Sequence, residues 1–185
     1  MTQRPRLRKF VLTAHVVSSV GWLGAVVVFL ALGVSGMTSQ DAQVVRGVYL
    51  AMDSAGWSVL VPLSLASLLT GLVQSLGTKW GLFRHYWVLV KLLINIAAII
   101  VLLLYMQTLS YLADVAAETT ASSSDLSVLR SPYPVLHAGV GLLLLLVAAT
   151  LSVYKPRGMT RYGQRKHREQ RPMSAVVDAP MPARL

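Results

Sequence analysis

Cysteine is absent from the chain, which excludes structural disulfides, thiolate metal sites, iron–sulfur clusters and covalent c-type haem attachment. Any metal must be held by His, Met, carboxylate, Lys or a porphyrin. Carboxylates are scarce: seven Asp and Glu stand against 17 Lys and Arg, and none falls inside a long apolar stretch. That disfavours proton-coupled transport, for which membrane-embedded acids are the usual relay. No Ser, His and Asp are grouped as a hydrolase triad would need.

What the chain has is apolar length. Four stretches, roughly Val11 to Val34, Val59 to Leu76, Trp87 to Met106 and Val135 to Val153, account for the 55% hydrophobic content. Each is long enough, at 1.5 Å per residue, to cross a hydrocarbon core of about 30 Å. The pattern predicts an all-α protein: one domain over residues 1–158, a transmembrane four-helix bundle, followed by a basic tail over 159–185, disordered from about residue 165. The first stretch is longer than the apolar core of a secretory signal and is read as a retained span.

The net charge of +10 sits in the N-terminal arm, around Lys79 and Arg84, and from Lys155 through Arg171. In a four-span chain these lie on one side, and the positive-inside rule makes that side cytoplasmic, with both termini there, in a bacterial inner membrane. Asp41, Asp53, Asp114, Glu118 and Asp125 fall in the two opposite loops. Anionic lipid headgroups explain the basic tail, so no nucleic-acid partner is expected. In the first outer loop, Thr38 to Asp41 resembles a capping box, and Val44, Val45, Val48, Tyr49 and Met52 recur at helical spacing. A short interfacial helix or an outward extension of the second span fits. The third span continues through Leu112 to Ala117, and a short turn over Asp125 to Arg130 leads into the fourth.

His15 is the most informative residue, an ionisable side chain inside an apolar span. It shares a helical face with Ser18, Ser19, Trp22, Ala25 and Phe29. On the second span, Ser64, Ser67, Gly71, Gln74 and Ser75 form a small, polar stripe suited to close helix packing. On the third, Arg84, Trp87, Lys91, Asn95, Ala98 and Tyr105 face inward, while Leu92, Leu93, Ile96 and Ile99 suit lipid. Lys91 lies about 6 Å inside its span and His15 about 7 Å inside its own. Lys91 either serves the same site as His15 or snorkels to the headgroups. His85 marks the entrance to the third span, and His137 shares a face with Tyr133, Gly141, Leu144 and Ala148 near the opposite surface. His15 and His137 are both candidate metal ligands, but their difference in depth makes one shared iron awkward.

His15-x6-Trp22-x-Gly24, Trp87-x3-Lys91-Leu92 and Lys155-Pro156 resemble elements of the HemJ-type protoporphyrinogen oxidases and, more loosely, of the copper-resistance (CopD-like) membrane domain. The chain carries Leu89 where the HemJ type tends to have His. Over nearly its whole length it also resembles a widespread group of bacterial four-helix integral membrane proteins that carries no assigned activity. The HemJ resemblance implies a haem ligand at His15 and a functional lysine at Lys91.

Three functions follow as expectations. The first is a haem b protein with an electron-transfer or porphyrin-related redox role, possessing a redox partner. His15 would ligate iron, Trp22 flank the macrocycle, Arg84 pair with propionates, and Lys91, with Asn95 one turn deeper, complete the site. The second is a scaffold or accessory protein without cofactor. The third is copper handling at the outer face by Met37, Met52, Met106 and His137. Small-residue faces are compatible with a homodimer.

Overall fold

The computed structural model describes residues 5–77, 83, 85–118, 128–154 and 158–169, the last four by backbone alone. Four helical rods dominate: α1 (Pro5–Thr38), α2 (Ala42–Ala55) running through a π-helical turn (Gly56–Leu60) into α3 (Val61–Leu76), α4 (Tyr86–Glu118) and α5 (Tyr133–Tyr154). All four are long and apolar enough to cross a membrane, and the protein is a multi-pass, all-helical membrane protein. Among the described residues the sole β-type pairing is an isolated bridge between His85 and Met159.

The 22 residues of α5 span about 33 Å, close to one hydrocarbon thickness. α1, with 34 residues, and α4, with 33, reach about 50 Å. Toward the α1–α2 connection, α2 packs on both α1 and α4. Val45, Tyr49, Met52, Met106, Leu109 and Leu129 are almost wholly buried there. The outward extension of the second span is therefore a continuous helix and part of the core.

The helix ends here are tied down. Asp41 is the N-cap of α2, its carboxylate accepting from the Gln43 backbone N–H at 2.8 Å. The cap is thus Asp41 rather than Thr38, which remains inside α1 and bonds back to the Val34 carbonyl at 2.8 Å. At the far end of α4 the Arg46 guanidinium donates to the carbonyls of Ala116, at 2.6 Å, and Ala117, at 3.1 Å. Those are the groups a helix C-terminus leaves without intrahelical partners, and a cation also complements its dipole. The Tyr49 hydroxyl donates to the Leu129 carbonyl, and Ser110 donates to Asp53 at 2.6 Å while accepting from the Trp57 indole at 3.1 Å.

The π-helical turn has a local cause. Pro62 has no N–H to give the Ser58 carbonyl, and the widened turn absorbs the defect, with Val61 N–H bonding Gly56 O. Gly56 also faces Met106 so closely that a Cβ there would lie 2.5 Å from the thioether methyl.

Two expectations are corrected. Ile99, assigned to lipid, is 5% exposed and packs in the core, because α4 is contacted by both α2 and α5 and its buried face is wider than one stripe. A helix, α6 (Arg161–Glu169), runs across residue 165, where disorder was expected to begin. Residues 170–185, residues 125–127 of the expected Asp125 to Arg130 turn, Lys79, Arg84, Lys155 and Pro156 lie outside the described residues. Within that turn, Val128 and Leu129 are helical.

Candidate functional site

At the end of the bundle where α1 and α4 begin, side chains from all four rods contribute polar groups. His15 projects from α1 onto α3, half-buried, with Nδ1 3.1 Å from the Ser67 carbonyl and 3.2 Å from the Thr70 hydroxyl. The Thr70 hydroxyl hydrogen is directed at the Ala66 carbonyl, 2.6 Å away. The Ser67 carbonyl can only accept, so in the neutral imidazole the proton sits on Nδ1 and the lone pair on Nε2. One turn further along α1, the Ser19 and Ser67 hydroxyls are 2.8 Å apart. Ser18 is buried but satisfied within its own helix by the Ala14 carbonyl at 2.8 Å.

Gly71 makes this approach possible. A Cβ at that position would stand 3.0 Å from His15 Cε1 and 3.4 Å from Nδ1, so the imidazole lies in a notch that any side chain would close. Ser67 and Gly71 belong to the small-residue stripe visible in the sequence. Thr70 does not, because its Oγ1 reaches the ring from the flank of that stripe.

Lys91 of α4 lies within coulombic reach of His15. Its ammonium donates to the Ser152 hydroxyl of α5 at 3.2 Å and lies 5.7 Å from the centre of the Trp87 ring, within cation–π range. Trp87 opens α4 and Ser152 closes α5, so the lysine stem carries its charge toward the membrane surface at that end. Asn95, one turn deeper, is buried, as are Trp22 and Ala98. No pattern in the chain marks Ser152, whose hydroxyl also donates to the Ala148 carbonyl at 2.9 Å.

The other candidates lie elsewhere. His137 is stacked on Tyr105 at 4.2 Å, with the rings inclined by 17°, and shares no partner with His15. Its Nδ1 is 3.0 Å from the Tyr133 carbonyl. Met52 and Met106, two of the proposed copper ligands, are fully buried in the apolar core. His85 is paired with Met159 and lies near Trp87, with the ring centres 6.4 Å apart. Among the described residues, no three His, Asp or Glu cluster so as to hold a metal ion.

No family model, curated protein or solved structure matches the chain.

Proposed function

We propose that the protein is a haem b-binding, multi-pass protein of the bacterial cytoplasmic membrane with an electron-transfer or porphyrin-related redox role. The observation that carries this reading is the contact of His15 Nδ1 with the Ser67 carbonyl. A ring N–H held by a backbone carbonyl, with the opposite nitrogen unprotonated, is the arrangement that orients axial and metal-ligating histidines. The donor chemistry fits: imidazole is a usual haem ligand, and the Gly71 notch seats the His15 ring against α3. His15 Nε2 would hold the iron, Trp22 would flank the macrocycle, Lys91 would serve a propionate or the iron, and Asn95 would line the site. Arg84 joins the set on sequence grounds, as the cation for a propionate. Bound haem would supply one-electron transfer.

Basic residues at both ends of the chain support cytoplasmic termini. In α6, exposed Arg161 and Arg165 extend a basic surface suited to anionic headgroups.

The decisive measurement is an absorption spectrum, oxidised and dithionite-reduced, of protein purified in detergent from haem-replete cells, with a pyridine haemochrome assay. The expected result is a Soret band with a b-type α-band, lost in a folded His15→Ala variant. Colourless protein overturns the reading. A second reading then stands, a cofactor-free scaffold or accessory protein, and it too has an observation behind it: His15, Ser19, Ser67 and Thr70 bond to one another across α1 and α3.

A further inference from the structure

Deeper in the bundle and toward the α1–α2 connection, α1, α4 and α5 enclose a cavity of about 240 Å³. Its walls are apolar, among them Trp22, Phe29, Leu102, Gly141 and Leu144. Three further lining residues, Val101, Leu136 and Val140, are exposed on the bundle surface, so the cavity reaches the outside of the helices, where lipid would stand. An apolar cavity of about 150 Å³ suffices for benzene and stays dry; this one admits a substituted ring.

Tyr105, whose buried hydroxyl has no hydrogen-bond partner, and His137 are lining side chains that carry a polar group. His137 is exposed, lines the cavity, and has its ring held flat on Tyr105 at 4.2 Å. Its Nδ1 faces the Tyr133 carbonyl at 3.0 Å. A carbonyl only accepts, so in the neutral ring the proton is on Nδ1 and Nε2 offers a lone pair. The site therefore combines a ring-sized dry volume, an opening toward lipid, and an acceptor held in a fixed plane.

We propose that this cavity binds the head ring of a membrane quinol, with a ring hydroxyl donating to His137 Nε2 and the isoprenoid tail leaving between α4 and α5. A saturated acyl chain would fill the volume but offer His137 no donor. At His137 an oxidised quinone carries carbonyl acceptors that would face a lone pair, whereas the Tyr105 hydroxyl, able to donate or accept, serves either form. The site consequently prefers the reduced form. This proposal does not rest on haem at His15.

The test uses the full chain in lipid nanodiscs, with decyl-ubiquinol and decyl-ubiquinone as probes under anaerobic conditions, and measures ligand retained by immobilised discs against empty ones. The wild type is expected to bind the quinol saturably and at least fivefold more tightly than the quinone. Gly141→Leu, which fills the cavity, is expected to abolish saturable binding of both. His137→Phe keeps a ring to stack on Tyr105 but removes the acceptor, and is expected to bring the two affinities within twofold. Ala138→Phe is a second cavity-filling variant should Gly141→Leu fail to fold, folding being judged by elution profile and near-UV circular dichroism. Absent saturable binding, equal wild-type affinities for the two redox forms, binding unaltered by cavity filling, or displacement by decane as effective as by quinol would each overturn the proposal. A colourless protein that nonetheless binds quinol would sink the haem reading alone.

Discussion

Gly71→Ala is expected to change the sign of its effect depending on whether His15 is present. In the wild type the new methyl would stand 3.0 Å from His15 Cε1 and 3.4 Å from Nδ1. The ring must retreat, and with it go the contacts to the Ser67 carbonyl and the Thr70 hydroxyl. Overpacking of this kind costs about 1–3 kcal/mol, and interhelical polar contacts in membranes add about 0.6 kcal/mol each. Against this, replacing a mid-helix glycine by alanine gains up to about 1 kcal/mol. The net expected loss is therefore about 1–3 kcal/mol. In a His15→Ala background the clash vanishes, the propensity gain remains, and Gly71→Ala should be neutral or stabilising. The coupling energy of the double-mutant cycle should be about 2–4 kcal/mol. SDS-titrated unfolding in mixed micelles, followed by circular dichroism on all four proteins, measures it. Additivity within about 0.5 kcal/mol would mean that the imidazole does not occupy the Gly71 notch, and the tautomer argument for His15 would go with it.

Two tyrosines that differ in one bond should respond in opposite directions. Tyr49→Phe removes a buried hydroxyl that donates to the Leu129 carbonyl and should cost about 1–2 kcal/mol in the same unfolding assay. Tyr105 is equally buried, but its hydroxyl has no hydrogen-bond partner, so Tyr105→Phe should be neutral or stabilise by about 1 kcal/mol. Arg46→Gln should lose about 1 kcal/mol by leaving the Ala116 and Ala117 carbonyls uncapped, with the loss concentrated in faster hydrogen exchange at the end of α4. Because the chain has no native cysteine, single cysteines report topology directly. Gln40→Cys should react with an impermeant maleimide in intact cells and Gln164→Cys only after lysis; the reverse pattern would invert the orientation argued from charge.

The four spans were legible because the bilayer demands about 20 apolar residues per crossing and the chain supplies four such runs. The inward face of α1 was legible for a related reason: Ser18, Trp22 and Phe29, all buried, follow the 3.6-residue period from His15. Periodicity failed where a helix has more than one neighbour, as at Ile99, and where two residues suit the same role. Thr38 and Asp41 can both cap a helix, and only the continuation of α1 through Thr38 decides between them. The π-helical turn left a trace in Gly56 and Pro62, whose joint meaning depends on Met106, fifty residues away in the chain.

Lys91 shows where sequence reasoning ends and why that matters for function. Its depth follows from counting along α4, but its direction depends on rotamers and on Ser152, a residue with no distinguishing pattern. A lysine at this depth can turn inward to His15 or outward to the headgroups, and the chain places its ammonium on Trp87 and Ser152, on the outward path. An outward-directed cation beside an inward imidazole separates the two roles that the spacing alone had merged. The imidazole is held against α3, whereas the lysine ammonium sits between Trp87 and Ser152, where, on the haem proposal, an acidic edge of a bound molecule would meet it. Lys91→Met should therefore weaken retention of a carboxylate-bearing porphyrin while leaving the His15-dependent spectrum of bound haem in place. His15→Ala should erase that spectrum outright. If instead Lys91→Met alters the low-spin bands as His15→Ala does, the lysine is an iron ligand and its outward path is not the one it takes with haem bound.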